Sequence, residues 1–247
     1  MSKNKLIKII FEKLKTLIGA LLIAVLIRSL IIQPFYIPSS SMEPTLLVGD
    51  RIFVTKYTYG YSKHSFPFSP NFSNNRYFFK KPVQGDLVVF KTPADNRTDY
   101  IKRLIGLPGD EIQFVDGDIF INDIKLERKE TSIKEQINCG NLKLNTKTFV
   151  ETLPNGVKHL ATYNSNGTLM NTKKYKVPKD HYFLMGDNRD CSKDSRYLNE
   201  VGFVKNLNLV GKAKIIFFSN DTMKGSLLKI WNLHNSFRFK RTFQGLS

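Results

Sequence analysis

Histidine and cysteine are scarce in this chain, and the signatures usually built from them are missing. Among 247 residues there are four histidines and two cysteines. No CxxC pair, Cys/His ladder or HExxH occurs, so no metal site and no cofactor is expected. No GxSxG elbow occurs either, which argues against an α/β-hydrolase. His64, His159, His181 and His234 stand in no recognisable catalytic context. Acidic residues are also few: 21 against 38 Lys and Arg, a net charge of +17. Such a charge draws anionic lipid, nucleic acid or acidic partners, or else marks a lysine-rich solvated surface. No aromatic-interleaved basic module is present, so nucleic acid is not an expected partner. Cys139 and Cys191 can pair only in an oxidising compartment; their separation does not decide the matter, and free buried thiols are the expectation.

What is present begins with an apolar run, Thr16 to Ile32, followed by Gln33-Pro34. As a helix it measures about 26 Å, slightly short of a hydrocarbon core of ~30 Å. Leu14 and the long stems of Lys15 and Arg28 extend it, because such side chains snorkel to the interface. Arg28 is the weak point of a transmembrane reading, eased by its place near the outer end. Lys3, Lys5, Lys8, Lys13 and Lys15 precede the run, whereas 33–49 carries no Lys or Arg. That bias places the N-terminus in the cytoplasm and everything after Gln33 outside. A cleavable secretory signal, with Ser39-Ser40-Ser41 as its small-residue site, is the rival. A retained single-pass anchor in the cytoplasmic membrane is the expectation.

Beyond the anchor, strand signals dominate and no long amphipathic helix or internal repeat intervenes. Arg51–Tyr57, Leu87–Lys91, Lys179–Met185 and Leu209–Phe218 read as strands. Glu111–Asn122 alternates around Asp116-Gly117, which predicts a hairpin with a type I′ turn. The class is mainly β: one N-terminal transmembrane helix, then an antiparallel β core with an inserted β subdomain. The expected divisions are a basic N-terminus (1–15), the anchor (16–33), and the core's first part (34–126), with a loop or irregular hairpin at 59–82. An inserted, more variable subdomain with little catalytic content (127–177), the core's second part (178–222) and a basic, aromatic C-terminal segment (223–247) follow. That last segment either lies on the headgroup surface or packs on the core.

Three short segments carry the chemistry. Pro38-Ser-Ser-Ser-Met-Glu-Pro-Thr-Leu46 places Ser41 on a turn bracketed by prolines, just beyond the anchor. Asp99-Tyr-Ile-Lys-Arg-Leu-Ile-Gly-Leu-Pro-Gly-Asp110 places Lys102 on an apolar strand. On a strand, Tyr100 and Lys102 share one face while Ile101 and Arg103 share the other. A lysine acts as a base only after losing its proton, and burial lowers its pKa from ~10.4 at a cost of about 4 kcal/mol for ~3 units. Arginine never reaches that state. An exposed strand lysine and a Ser-rich linker are the plain alternatives. The third segment, Gly186-Asp-Asn-Arg-Asp-Cys-Ser-Lys-Asp-Ser-Arg196, is either a charged turn-rich loop or a buried ion network of Asp187, Arg189, Asp190, Asp194 and Arg196. Arg103 is a natural partner for one of its aspartates.

Together these boxes resemble those of the bacterial type I signal peptidases, the leader peptidases. The resemblance covers the anchor, all three boxes and the Gly-Asp strands, and is poor over 59–82 and 127–177. It implies a membrane-anchored serine endopeptidase that removes signal peptides from exported preproteins by a Ser–Lys dyad, cutting after small residues. Ser41 becomes the nucleophile and Lys102 the general base. Ser39 becomes an oxyanion donor acting with the Ser41 N–H, and Ser192 the serine that orients the lysine. Arg103, Asp187, Asp194 and Arg196 become the supporting ion network. Gln33, Pro34, Phe35, Tyr36, Ile37 and Pro38, with Asp99, Tyr100 and Ile101, become the substrate-binding strands. Cys191 departs from the asparagine usual in the family. Preproteins, anionic membrane lipids and the protein export machinery are the implied partners. The alternatives are a relative of the self-cleaving repressors, which would need a DNA-binding domain, and a non-catalytic anchored cationic β domain that binds lipids or an export partner.

Overall fold

A computed structural model describes residues 3–140, 142–165, 171–221 and 236–246. It opens with helix α1 (Lys3–Leu30), after which every extended element pairs antiparallel. The expected span 16–33 is corrected at its ends. The helix begins at Lys3 and ends at Leu30, so Ile32 and Gln33 already belong to strand β1 (Ile32–Tyr36). Among the described residues, moreover, no helix is long and apolar enough to cross a membrane. The reason is charge spacing: Lys15 and Arg28 confine the uncharged stretch to Thr16–Ile27, about 18 Å of helix against the ~30 Å needed. Leu17, Leu21 and Ile23 nevertheless stay exposed along it.

The principal sheet has eight strands. Its path runs β1, β2 (Asp50–Thr55), β14 (Leu209–Ser219), β3 (Leu87–Lys91), β4 (Asp99–Gly106), β12 (His181–Met185) and β13 (Val204–Lys205). β15 (Gln244–Gly245) adds to β14. Register shifts along β14 mark bulges, which bend a strand and increase its twist. A four-stranded sheet holds β5 (Glu111–Val115), β6 (Asp118–Ile121), β7 (Ile124–Lys125) and β11 (Tyr175–Lys176). The β5–β6 turn is the anticipated one: Asp116 and Gly117 both have positive φ, 48° and 77°, as a type I′ turn demands. The third sheet, β8 (Glu127–Cys139), β9 (Leu142–Thr152) and β10 (Lys158–Asn164), forms a long arm.

Alternation along β12 ties these layers together. Phe183 and Met185 pack with Ile112, Phe114 and Ile121 of the four-stranded sheet. Tyr182 and Leu184 pack on the other side with Val88, Phe90 and Leu104. Burying a side chain of this size contributes roughly 1.5–3 kcal/mol, so the strand that precedes the Gly186–Arg196 loop is fixed from both faces. A third cluster, Met42, Leu46, Ile52 and Val54 among its members, fixes the Ser41 turn. The 59–82 stretch is irregular, with one isolated bridge, Tyr61 to Tyr77, and a short 3-10 turn at Lys63–Ser65. Most of the 223–247 segment, including Trp231, lies outside the described residues.

Candidate active site

Ser41 sits in a 3-10 turn, Ser40–Met42, whose Met42 is fully buried. The turn is held from the far side of the chain. Asn188 donates its backbone N–H to the Ser41 carbonyl at 3.2 Å and its side-chain amide to the Ser40 carbonyl at 3.1 Å. This approach leaves no room at Gly186, where a Cβ would lie 2.4 Å from the Ser41 carbonyl oxygen and 2.2 Å from Ser192 Oγ. Only glycine lets the 186–192 loop close on the serine turn.

Lys102, on β4, is 4% exposed and donates Nζ–H to Ser41 Oγ at 2.7 Å. Its other close neighbour is the Tyr100 ring, 5.4 Å from Nζ to the centroid. Among the described residues no carboxylate lies within ion-pair distance of it. Burial therefore dominates and lowers the lysine to about 8, although the charges of Asp194 and Asp187 pull the other way. An amine this close to a hydroxyl, and this near neutrality at mild pH, can exchange a proton with it.

The other expected residues divide. Ser39 is exposed, with Oγ 3.3 Å from Ser41 Oγ. Ser192 is buried with its hydroxyl toward the Asp194 carboxylate; among the described residues it makes no close hydrogen bond, and the anticipated bond to Lys102 is not made. Arg103 donates Nε–H and a terminal N–H to Asp187, both at 2.8 Å. Burial would push the Asp187 carboxyl up; the Arg103 charge and the Thr45 hydroxyl, at 2.5 Å, hold it below the usual range instead. Asp194 and Arg196 form a separate pair at 2.8 Å, and Gly186 N–H also bonds Asp194.

A third buried cluster went unread in the sequence. Arg189 donates to Glu151 at 2.6 and 3.0 Å and to Tyr163 Oη at 2.8 Å, with His159 Nε2 3.2 Å from the same carboxylate. Glu151 is held down to about 2, because Arg189 and these bonds outweigh burial. Glu151, His159 and Tyr163 come from β9 and β10. The 127–177 stretch is thus a buttress for the Gly186–Arg196 loop: Thr162 N–H bonds the Asp187 carbonyl, and Arg189 N–H bonds that of Thr162. The expected free thiols are corrected as well. Cys139, at the β8–β9 tip, and Cys191 form a disulfide, Cα atoms 5.5 Å apart, because the arm folds back onto the loop. Ser40 Oγ lies 3.4 Å from Cys191 Sγ.

Beside Ser41 opens a cleft of about 380 Å³. Phe35 to Pro38 lines one wall and Asp99 to Ile101 the other. Gln33 instead lines a neighbouring cavity, and Pro34 is exposed on β1. Both walls end in free strand edges. β1 is terminal in the sheet and pairs only with β2, while β4 pairs with β12 only from Arg103 onward. An extended peptide can add to either edge.

A lysine-contacted serine between two open strand edges is the arrangement required of a serine hydrolase acting on extended polypeptide. Residues 10–218 match the family model for signal peptidase, peptidase S26. Signal peptidase I of Rickettsia typhi is 43% identical over 91% of this chain and 89% of its own. That of Rickettsia conorii is 44% identical over 91% and 88%, and one from Rickettsia bellii 40% over 95% and 85%. A signal peptidase I structure from Enterococcus faecalis aligns at 27% identity over 54% of this chain and 97% of that one, with a TM-score of 0.32, and adds no weight. The chain belongs to the signal peptidase I family, the S26 serine endopeptidases that remove signal peptides from preproteins.

Proposed function

We propose that Ser41 is the acylating nucleophile and Lys102 the base that serves it. The observation that carries this is the 2.7 Å contact between Lys102 Nζ and Ser41 Oγ, made by a buried lysine with no carboxylate partner among the described residues. The preprotein segment before the cut adds as a strand between the edges at Phe35–Pro38 and Asp99–Ile101, its small side chains entering the cleft. Lys102 takes the Ser41 proton as Oγ attacks the scissile carbonyl. The oxyanion is met by the Ser41 N–H and Ser39 Oγ. Lys102 returns the proton to the leaving amine of the mature protein, then deprotonates the water that releases the signal peptide. Ser192, whose hydroxyl makes no close hydrogen bond among the described residues, is available to orient the amine when it is neutral. The Arg103–Asp187 and Asp194–Arg196 pairs fix the loops around these atoms.

The same reading makes α1 an anchor in the cytoplasmic membrane, with the N-terminus inside and the β domain outside. Its exposed leucines and isoleucines and its basic flank support this, the stems of Lys13, Lys15 and Arg28 extending the apolar length by snorkelling. The principal sheet is then the catalytic core and β8 to β10 its insert. Anionic lipids and the export machinery are its neighbours there. The test is preprotein cleavage in liposomes by the native chain, Ser41→Ala and Lys102→Ala, with mass spectrometry of the cut. Cleavage after a small residue by the native chain alone is expected; equal cleavage by all three would remove both assignments.

A further inference from the structure

A second cavity, of about 620 Å³, lies between the last turn of α1 and the 59–82 excursion. Arg28, Lys56, Lys63, Lys91 and Arg97 line it, against two carboxylates. Asp99 is taken by Lys91 at 2.8 Å. Asp95 is occupied by the hydroxyls of Thr92 and Thr98 and by the N–H groups of Arg97 and Thr98. Arg28, Lys56, Lys63 and Arg97 make no ion pair among the described residues. Lys56 is only 2% exposed, and among the described residues its amine donates to one partner, the Ser65 carbonyl at 2.5 Å. Burial, then the charge of Arg28, lowers it to about 8. Lys56 is a buried cation without an ion-pair partner among the described residues, with the half-buried Lys63 and the exposed Arg28 and Arg97 around it, and an anion entering among them relieves the cost of burying its charge.

The surroundings say which anion. Phe66 and Phe68 line the cavity, and Phe68 is fully exposed. Phe72 and Phe78 also stand out from the same excursion, with Lys80 and Lys81 beside them. Protruding aromatics around a cationic pocket suit the headgroup level of a membrane, where rings enter the acyl boundary and cations meet phosphate. Arg28 places this pocket at the end of the proposed anchor. We propose that the cavity is a binding site for the phosphate of an anionic lipid headgroup in the outer leaflet. The proposal rests on the anchored reading given above. Because the cavity shares Phe35 and Asp99 with the active-site cleft, a bound headgroup sets the height of the membrane surface against the substrate groove.

The test titrates the full chain in detergent with phosphatidylglycerol, phosphatidylcholine or inorganic phosphate and counts bound molecules by native mass spectrometry. Phosphatidylglycerol is expected to bind at least about tenfold more tightly than phosphatidylcholine. Each cation near a membrane surface contributes about fivefold in affinity, so Lys63→Gln with Arg97→Gln should weaken phosphatidylglycerol binding roughly 25-fold. These two side chains are not fully buried, so the double variant tests the site even where Lys56→Gln fails to fold. Equal binding of both lipids, unchanged by the double variant, overturns the proposal. Inorganic phosphate competing as well as the lipid shows a bare-phosphate site and overturns the lipid source. Loss confined to cleavage of preproteins with acidic residues before the cut, with lipid binding intact, replaces the headgroup by an acidic peptide. Ser41→Ala should bind lipid like the native chain, and flotation with phosphatidylcholine vesicles reports the anchor separately. The headgroup site can therefore fail while peptidase and anchor stand.

Discussion

Lys102 and Arg103 are neighbours on one strand, equally buried and of the same formal charge, and the protein treats them in opposite ways. Arg103 is matched by Asp187 with two bonds and a third to the Gly85 carbonyl. Lys102 is given one hydroxyl and an aromatic ring. Successive strand residues leave the backbone on opposite sides, so one residue step separates a satisfied charge from one pressed to give up its proton. The difference teaches that burial is not the variable; the counterion is. A fixed cation with a carboxylate builds a wall, and a lysine denied one is left with a lowered pKa.

The sharpest way to break the comparison is to give both positions a permanent charge. Lys102→Arg should lower preprotein turnover by about 10⁴-fold or more, the scale of losing a catalytic base, with circular dichroism unchanged. Native-like turnover would mean that proton transfer does not pass through this residue. Next in size is removal of the counterion that Arg103 enjoys. Asp187→Ala leaves a buried guanidinium uncompensated and should cost about 3–5 kcal/mol in urea unfolding; a loss under about 1 kcal/mol would show that Arg103 finds another partner. Smallest is the removal of the strained charge itself. Lys102→Met should stabilise the inactive protein by up to about 3 kcal/mol at pH 7, from the fall from 10.5 to about 8. The sign follows from proton uptake. Between pH 8 and 10.5 the unfolded lysine keeps a proton that the folded one has released, so native stability rises with pH there. The advantage of Lys102→Met is thus full below pH 8 and gone above about 10.5. A constant difference across that window would mean that Lys102 is not destabilised by burial.

Legibility tracked sequence distance. Ser41 and Lys102 stand in compact boxes, each with its own turn or strand logic, and the structure sets their side chains in contact. The Asp116-Gly117 turn was readable because two local dihedrals decide it. The arm was not. Nothing in the spacing of Glu151, His159 and Tyr163 says that they converge on Arg189, or that Cys139 meets Cys191, since a strand pattern does not tell which way a hairpin leans. Asn188 was passed over because its work is done through backbone contacts to Ser40 and Ser41. The anchor is read from hydropathy, while Lys15 and Arg28 confine the uncharged stretch of α1 to Thr16–Ile27. The Ser192 orientation expected from the family resemblance is not made with the lysine bonded to Ser41.

The two unpaired edges beside Ser41 carry one more consequence. An open edge does not ask whose strand joins it: a substrate, a damaged protein or a sister enzyme can all offer the same backbone. Selectivity must therefore come after docking, from the cleft of about 380 Å³ against which the joined strand has to settle. Bulky side chains can lie along the edges yet hold the scissile bond away from Ser41. By this arrangement the enzyme can touch many chains and cut few.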